Sequence, residues 1–377
     1  MLSKIVFFVT ACKKSGPIQQ TLNIIKNLDR EKFDPILLTI YEEATDGSSQ
    51  LEKFLPYVKH YYVPTGKKEI LLGTDKKLRK CLEEIQPDVI HTLGAFPNFA
   101  IARLKKFKQV ITLRNYIFTD GFDKYGYLKS MLAAYMNMYA IKRAAKTVTC
   151  SASLAEIYKE KLKLDFDYIQ NGVDIENYHE PVPDEKERLR KELKLPEDKF
   201  VFVYSGQIIQ RKNQVFLLEA FEKYLTASNI YLLILGDGNM LQELKTRFGS
   251  INGVDFRGNV LNVNDYLKAC DAYVSTSISE GMPNGVLEAM ATGLPYVLSD
   301  IEQHLEIYHT DPKCGFVYRQ GDHHDLAQNM QKLTEADYRA MGAEAAITVK
   351  DNLSATMNSQ KYQNIYSALS EAGKSGK

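Results

Sequence analysis

Short apolar runs rich in β-branched and aromatic residues alternate along this chain with stretches whose apolar positions recur every three to four residues. In the first half, Ile5–Val9, Pro35–Ile40, Val89–His91, Val110–Leu113, Val148–Cys150 and Tyr168–Gln170 read as strands. Between them, Ile18–Leu28 places apolar residues at 18, 22, 24, 25 and 28, a helical period. Asp75–Glu84 is a charged helix that stops ahead of Pro87, because the residue before a proline is pushed out of the helical region. Helices are also expected over Asn98–Lys106, Leu128–Ala145 and Ser153–Leu162. A proline- and charge-rich stretch, His179–Pro196, leads through a helix into a second series of the same kind. There Phe200–Tyr204, Ile230–Leu235, Val254–Arg257, Ala272–Ser275 and Tyr296–Ser299 are strands. Asn213–Tyr224, Met240–Phe248, Val263–Ala269, Gly285–Ala291, Leu326–Leu333 and Asp337–Val349 are helices. Strands alternating with helices at this spacing predict parallel βαβ units with helices on both faces. The fold class is therefore α/β: two Rossmann-like, doubly wound domains over residues 1–170 and 171–355, with a terminal helix near 356–377 packing back on the first. Sheets of this kind bind ligands beyond the carboxyl ends of their strands, and two such domains facing one another frame a cleft.

Composition narrows the function class. Of 377 residues, 45% are hydrophobic and 25% charged, an ordinary globular balance that excludes a disordered or collagen-like chain. No apolar stretch approaches the ~18 residues of a spanning helix, and Ile5–Val9 is too short for a signal-peptide core. The five cysteines are scattered and form no C-x-x-C, so neither a disulfide framework nor a zinc site is expected, and a reducing, cytoplasmic setting is. The net charge of +1 conceals an asymmetry. Residues 1–170 carry 27 Lys and Arg against 18 Asp and Glu, and the remainder 21 against 29. Either the two halves present solvated surfaces of opposite sign, or the first meets something anionic, such as a lipid headgroup at the inner face of a membrane or a phosphorylated acceptor. Interleaved acids and the lack of a nucleic-acid motif argue against DNA or RNA.

The residues richest in chemistry run from Ser277 to Pro295, SISEGMPNGVLEAMATGLP. A strand ends in a Gly/Pro/Asn loop that opens a helix, and a helix N-terminus offers backbone N–H groups and a positive dipole end to phosphate. Glu280 lies in the loop and Glu288 in the helix, and a carboxylate accepts two hydroxyls of a diol at once. The alternative is a capped helix with two solvated acids.

This segment resembles the paired-glutamate motif of the retaining glycosyltransferases of family 4, which have the GT-B fold. Further stretches resemble the same family in order: Ser15-Gly16-Pro17-Ile18, Gln170-Asn171-Gly172-Val173-Asp174, the run from Ser205 to Asn213, Leu235-Gly236-Asp237-Gly238 and Phe256-Arg257-Gly258-Asn259-Val260. The resemblance spans nearly the whole chain. It implies a nucleoside-diphosphate sugar donor, a UDP-sugar foremost, and a glycan or lipid-linked acceptor in polysaccharide or glycoconjugate biosynthesis. No cofactor and no metal are implied. Carried over by position, Glu288 binds the ribose diol, and Glu280 contacts the donor sugar. Gly281, Met282, Pro283 and Asn284 line the sugar and distal phosphate. Lys212 with Arg211 neutralises the diphosphate. Gly16, Gly206 and Gly236 let backbone approach the donor, and Arg257, Asn259 and Val260 lie on the base side. Glu280, Lys212 and Arg211 are the candidate catalytic residues. Two positions depart from the family: Gln207 stands where many relatives have Arg, and Arg114 where many have a cleft His. Arg114 is thus a candidate for an anionic acceptor group, for the donor sugar or for a surface salt bridge. His91, ending a strand, is either an acceptor-side group or a satisfied structural histidine. His323 and His324 beside Asp322 and Asp325 read as a solvated loop rather than a metal site. A nucleotide-sugar epimerase of the same fold and a non-catalytic glycan-binding partner remain the competing functions.

Overall fold

The structure is a computed structural model that describes residues 2–119 and 126–372. The chain divides into two compact units, Met1–Gly172 with Ala355–Lys377, and Val173–Ser354.

The first unit is a seven-stranded parallel sheet. Its strands are β1 (Ser3–Phe8), β2 (Phe33–Thr39), β3 (Lys59–Tyr62), β4 (Val89–Thr92), β5 (Gln109–Leu113), β6 (Lys146–Thr149) and β7 (Asp167–Tyr168), in the order β3-β2-β1-β4-β5-β6-β7. Val6 pairs with Ile36 on one side and Ile90 on the other, so the direction of winding reverses between β1 and β4. Helices cover both faces, which is why β1 reads as a continuous apolar run rather than an alternating one. On one face, Ile5 and Phe7 pack with helix Gly16–Lys26 and with Tyr362 and Tyr366 of helix Ala355–Glu371. On the other, Val6, Phe8 and Ile90 pack with Ile70, Leu78, Leu82 and Ile101, from helices Lys67–Leu72, Lys76–Ile85 and Ala95–Leu104.

The second unit repeats the scheme with six parallel strands: β8 (Phe200–Ser205), β9 (Ile230–Leu235), β10 (Val254–Gly258), β11 (Ala272–Ser275), β12 (Tyr296–Ser299) and β13 (Gly315–Tyr318). Their order is β10-β9-β8-β11-β12-β13, so winding reverses between β8 and β11. Phe202, Leu232, Ile234 and Val274 are fully buried against Leu217, Phe221, Leu244 and Phe248. The loops after β8 and β11 lie at the switch point, where neighbouring connections diverge and leave a crevice.

The structure also differs from the pattern-based reading. It adds β3, β13, and helices Leu51–Phe54, Lys67–Leu72 and Glu302–Tyr308. The helix expected to run from Leu128 to Ala145 spans Tyr127–Ile141.

Candidate functional site

β8 ends at Ser205, and the chain turns through Gly206 into a short 3-10 turn, Gln210–Lys212. Asn213 closes it in the left-handed region, at φ 54°. That turn is stitched to the loop after β11. Ile278 donates its backbone N–H to the Arg211 carbonyl at 3.0 Å. Thr276 Oγ1 donates to the Asn213 carbonyl at 2.9 Å. The stitching brings together side chains 68 positions apart in sequence. Lys212 Nζ donates to Glu280 Oε1 at 2.5 Å, and Arg211 Nη1 to Oε2 at 2.8 Å. Arg211 also donates to the Ser279 carbonyl. The Glu280 backbone N–H is held by Gln303 Oε1 at 3.4 Å.

Glu280 is buried, whereas the Lys212 and Arg211 side chains are 18% and 30% exposed. Burial pushes the Glu280 carboxyl up. The Lys212 and Arg211 charges and hydrogen bonds outweigh it and hold the group at about 2. The cluster therefore has two cations and one anion, an excess of one positive charge at the sheet's switch point.

Beside it starts helix Asn284–Ala291, with Pro283 at its N-cap. Gly285 is what lets this helix end come close: a Cβ there would lie 2.6 Å from Tyr273 Oη and 2.9 Å from the Ser205 carbonyl. Gly236, at φ 134°, sits so near the β8 turn that a Cβ would lie 1.7 Å from the Gly206 carbonyl. Gly206 N–H donates to Leu235 at 3.0 Å and Gly236 N–H to Gly258 at 2.7 Å. The ends of β8, β9 and β10 are thereby drawn into one layer around the cation cluster. Gly281, Met282 and Pro283 are buried, and Glu288 lies one turn into the helix. Tyr178 and Tyr273 lie within reach of the Glu288 charge; burial is the main cause raising both phenols.

Arg257 is engaged elsewhere in the unit. It donates to Asp255 Oδ2 at 2.6 Å and to the Lys194 carbonyl at 3.4 Å, and Tyr231 Oη donates to the same Asp255 oxygen. Asn259 and Val260 follow immediately after β10.

Sequence reasoning did not single out His304, which is fully buried. Ser299 Oγ donates to the Ser277 carbonyl at 2.7 Å, so it can only accept from His304 Nδ1, 2.9 Å away. This assigns the proton to Nδ1. Burial, helped by Lys212 and opposed by Glu280, lowers this ring to about 4, so it is neutral. A lone histidine inside a short helix carries no sequence signal for such a place.

In the first unit, Gly16 is exposed and opens helix Gly16–Lys26. Arg114 follows β5 and donates to Asn171 Oδ1. Gly172 in turn exchanges hydrogen bonds with Gln20 at 3.0 and 2.9 Å, so the Asn171-Gly172 stretch is locked to that helix. His91 is a structural residue. Its ring is buried beneath helix Ala355–Glu371, with Nδ1 2.7 Å from Tyr366 Oη and Nε2 2.9 Å from Thr112 Oγ1. Burial, then the Arg114 charge, lowers it to about 3. With both nitrogens occupied, the acceptor-side reading of His91 is withdrawn. The His323–His324 stretch is the start of helix His323–Glu335. Asp322 caps it by accepting from His324 and Asp325 N–H at 3.0 Å, and His323 stacks on Phe216 at 4.0 Å.

Residues 185–348 match the family model described as Glycosyl transferases group 1, and residues 16–177 the model described as Glycosyltransferase Family 4. The chain is 29% identical over 309 residues to an Escherichia coli UDP-Gal:alpha-D-GlcNAc-diphosphoundecaprenol alpha-1,3-galactosyltransferase, with 76% of each chain covered. It is 24% identical to an Escherichia coli O-antigen biosynthesis glycosyltransferase, WclY, covering 82% of this chain and 83% of that one. Among solved structures, Anabaena HepE in complex with UDP and glucose superposes with a TM-score of 0.79 at 19% identity, covering 97% of this chain and all of the other.

Proposed function

Because this chain belongs to the group 1, family 4 glycosyltransferases of GT-B fold, we propose that it moves a hexosyl or N-acetylhexosaminyl group from a UDP-sugar to a hydroxyl of a lipid-linked glycan in surface-polysaccharide assembly. The observation that carries this reading is the Glu280–Lys212–Arg211 cluster beside the N-terminus of helix Asn284–Ala291. An excess positive charge next to a helix N-terminus suits a diphosphate. Once that dianion binds, Lys212 and Arg211 have a second anion to share, and Glu280 is released in part to accept sugar hydroxyls. Glu288 takes the ribose diol. The relative whose name contains UDP-Gal and a diphosphoundecaprenol acceptor, and the solved relative holding UDP and glucose, support this class of donor and acceptor.

The reaction breaks the bond from the anomeric carbon to the phosphate oxygen and forms one to the acceptor oxygen. The acceptor proton passes to the departing phosphate, on the same face of the sugar. Lys212 and Arg211 stabilise the charge that builds on that phosphate, where a preorganised cation contributes most. No divalent metal enters this scheme. The test is incubation with a panel of UDP-sugars and a lipid-diphosphate-linked acceptor, with and without chelator. One UDP-sugar is expected to give product that keeps the donor's anomeric configuration in chelator. Inverted product, sugar interconversion without acceptor, or strict dependence on added divalent metal overturns the reading.

A further inference from the structure

Glu280 has a second support besides the 3-10 turn that carries Lys212 and Arg211. It comes from the end of β12 and from helix Glu302–Tyr308. Ser299, the last residue of β12, donates its hydroxyl at 2.7 Å to the carbonyl of Ser277, in the loop that leads to Glu280. His304 Nδ1 lies 2.9 Å from that hydroxyl oxygen and 3.2 Å from the Ser299 carbonyl, so its proton is turned onto Ser299. The neighbouring Gln303 accepts the Glu280 backbone N–H at 3.4 Å. The Ser277 hydroxyl, 3.3 Å from Ser275 Oγ, lies near enough to the Glu280 carboxyl to help keep it ionised. Ser277, Ser299 and His304 are fully buried, and Gln303 and Glu280 nearly so. Among the described residues nothing donates to His304 Nε2. A buried acceptor left unpaired is a cost to the fold that a leucine of similar size does not incur. What a leucine cannot do is donate from the place of Nδ1.

We infer that His304 is a positioning residue for Glu280: its Nδ1 proton turns the Ser299 hydroxyl onto the Ser277 carbonyl, and that bond fixes the loop from which Glu280 meets Lys212, Arg211 and the donor sugar. The inference rests on the reading of Glu280 as the group that accepts donor-sugar hydroxyls. A serine hydroxyl has a single proton. Were Nδ1 bare, that proton would have two acceptors to choose between, the imidazole and the Ser277 carbonyl. With Nδ1 protonated it is left with Ser277. The buried chain therefore runs in one direction, from N–H to O–H to C=O, each bond polarising the next. Loss of the chain lets the Glu280 carboxylate drift from the sugar hydroxyls. Turnover suffers most from such a misplacement, whereas UDP alone, lacking the transferred sugar, is bound as before.

The test sets three variants of the full chain against the wild type, with the UDP-sugar and acceptor that the wild type uses. His304→Leu fills the space without a donor. It is expected to keep native circular dichroism and nearly the wild-type Tm, and to lower kcat roughly tenfold or more. Its KM for the UDP-sugar and its affinity for UDP are expected to stay within about threefold of wild type. His304→Asn sets an amide N–H close to the place of Nδ1 and leaves a cavity beyond it. It is expected to melt earlier than His304→Leu and yet retain more of the turnover, the reverse of the order set by core filling alone. Ser299→Ala cuts the same chain in the middle, and its loss of turnover is expected not to add to that of His304→Leu in the double variant. Nitrogen NMR of the His304 ring, recorded without substrate, is expected to show the proton on Nδ1. A proton on Nε2, a folded His304→Leu or Ser299→Ala with wild-type kcat, or turnover that simply follows Tm across the series overturns the inference and leaves the transfer reading standing. A wild type inert towards every UDP-sugar overturns the transfer reading, and this role with it.

Discussion

Glu280 keeps its charge in a buried place only because Lys212 and Arg211 meet it there, and this makes its ionisation a stability term. Its folded-state value of about 2 lies below the ordinary 4.5. The contribution is therefore complete above about pH 4.5 and is lost as pH falls towards 2; at 1.36 kcal/mol per unit it totals about 3 kcal/mol. Urea unfolding between pH 7 and pH 3 is expected to show a wild-type advantage over Glu280→Gln that shrinks below pH 4.5; a constant difference contradicts the pairing. Among the described residues, Lys212→Ala leaves Arg211 as the cation paired with Glu280 and removes a charge from beside the departing phosphate. Turnover is expected to fall roughly 100-fold or more, with the affinity for the intact UDP-sugar changed far less, because the charge developing on the departing phosphate depends on it most. Glu288→Gln replaces a carboxylate by an amide with one acceptor. Calorimetry is expected to show UDP binding weakened by about 1.5–3 kcal/mol, the scale of a charge-assisted hydrogen bond. The run from Ser277 to Pro295 made Glu280 and Glu288 legible as candidates in sequence. The Lys212–Glu280 contact was not, since only the docking of the 3-10 turn on the β11 loop joins residues so far apart. His304 and Gln303 escaped notice because a polar residue buried in a helix breaks no rule that a sequence displays. His91 stood out for its type and strand-end position, yet Tyr366, 275 residues away, occupies its Nδ1.

Elements place these groups by close approach of backbone. Gly285 brings helix Asn284–Ala291 against the end of β8, and Gly236 brings the β9 turn against Gly206. Gly285→Ala must push its methyl into Tyr273 Oη and the Ser205 carbonyl, so the helix end retreats from the cation cluster. UDP affinity is expected to fall at least tenfold and Tm to drop, the order expected of overpacking at a tight contact. Full UDP affinity in a folded Gly285→Ala protein removes the helix end from the donor site. The doubly covered strands β1, β8 and β9 were legible because burial on both faces demands a continuous apolar run. β3, Lys-His-Tyr-Tyr at the sheet edge, is half-exposed and has no such run. β13 is four residues opened by glycine, and helix Glu302–Tyr308 buries Gln303 and His304, so it shows no apolar period. Pattern reading finds elements through the core they serve, and it misses those held by edges, polar contacts or brevity.

At the scale of the molecule, the two units differ in how they are cut from the chain. The first is discontinuous: helix Ala355–Glu371 returns to it, burying Tyr362 and Tyr366, whose hydroxyls reach Thr112 Oγ1 at 2.8 Å and His91 Nδ1 at 2.7 Å. Adding that segment also sharpens the charge asymmetry, to 30 basic against 19 acidic residues in the first unit and 18 against 28 in the second. The second unit is a single stretch whose ends lie side by side, Val173 N–H donating to the Leu353 carbonyl at 2.9 Å. It has its own apolar core and contains Arg211, Lys212, Glu280 and Glu288 together. A chain ending at Ser354 strips two fully buried tyrosines from the first unit and leaves His91 Nδ1 without its partner. Losing a buried aromatic typically costs about 3–5 kcal/mol, a large share of a domain's stability of about 5–15 kcal/mol. That chain is expected to aggregate or to lose its first thermal transition. The fragment Val173–Ser354, by contrast, is expected to unfold cooperatively and to bind UDP within about tenfold of the full chain, because Arg211, Lys212, Glu288 and the N-terminus of helix Asn284–Ala291 all belong to it. A fragment with native circular dichroism that fails to bind UDP assigns essential donor contacts to the first unit, with Gly16 and Arg114 the residues to substitute next.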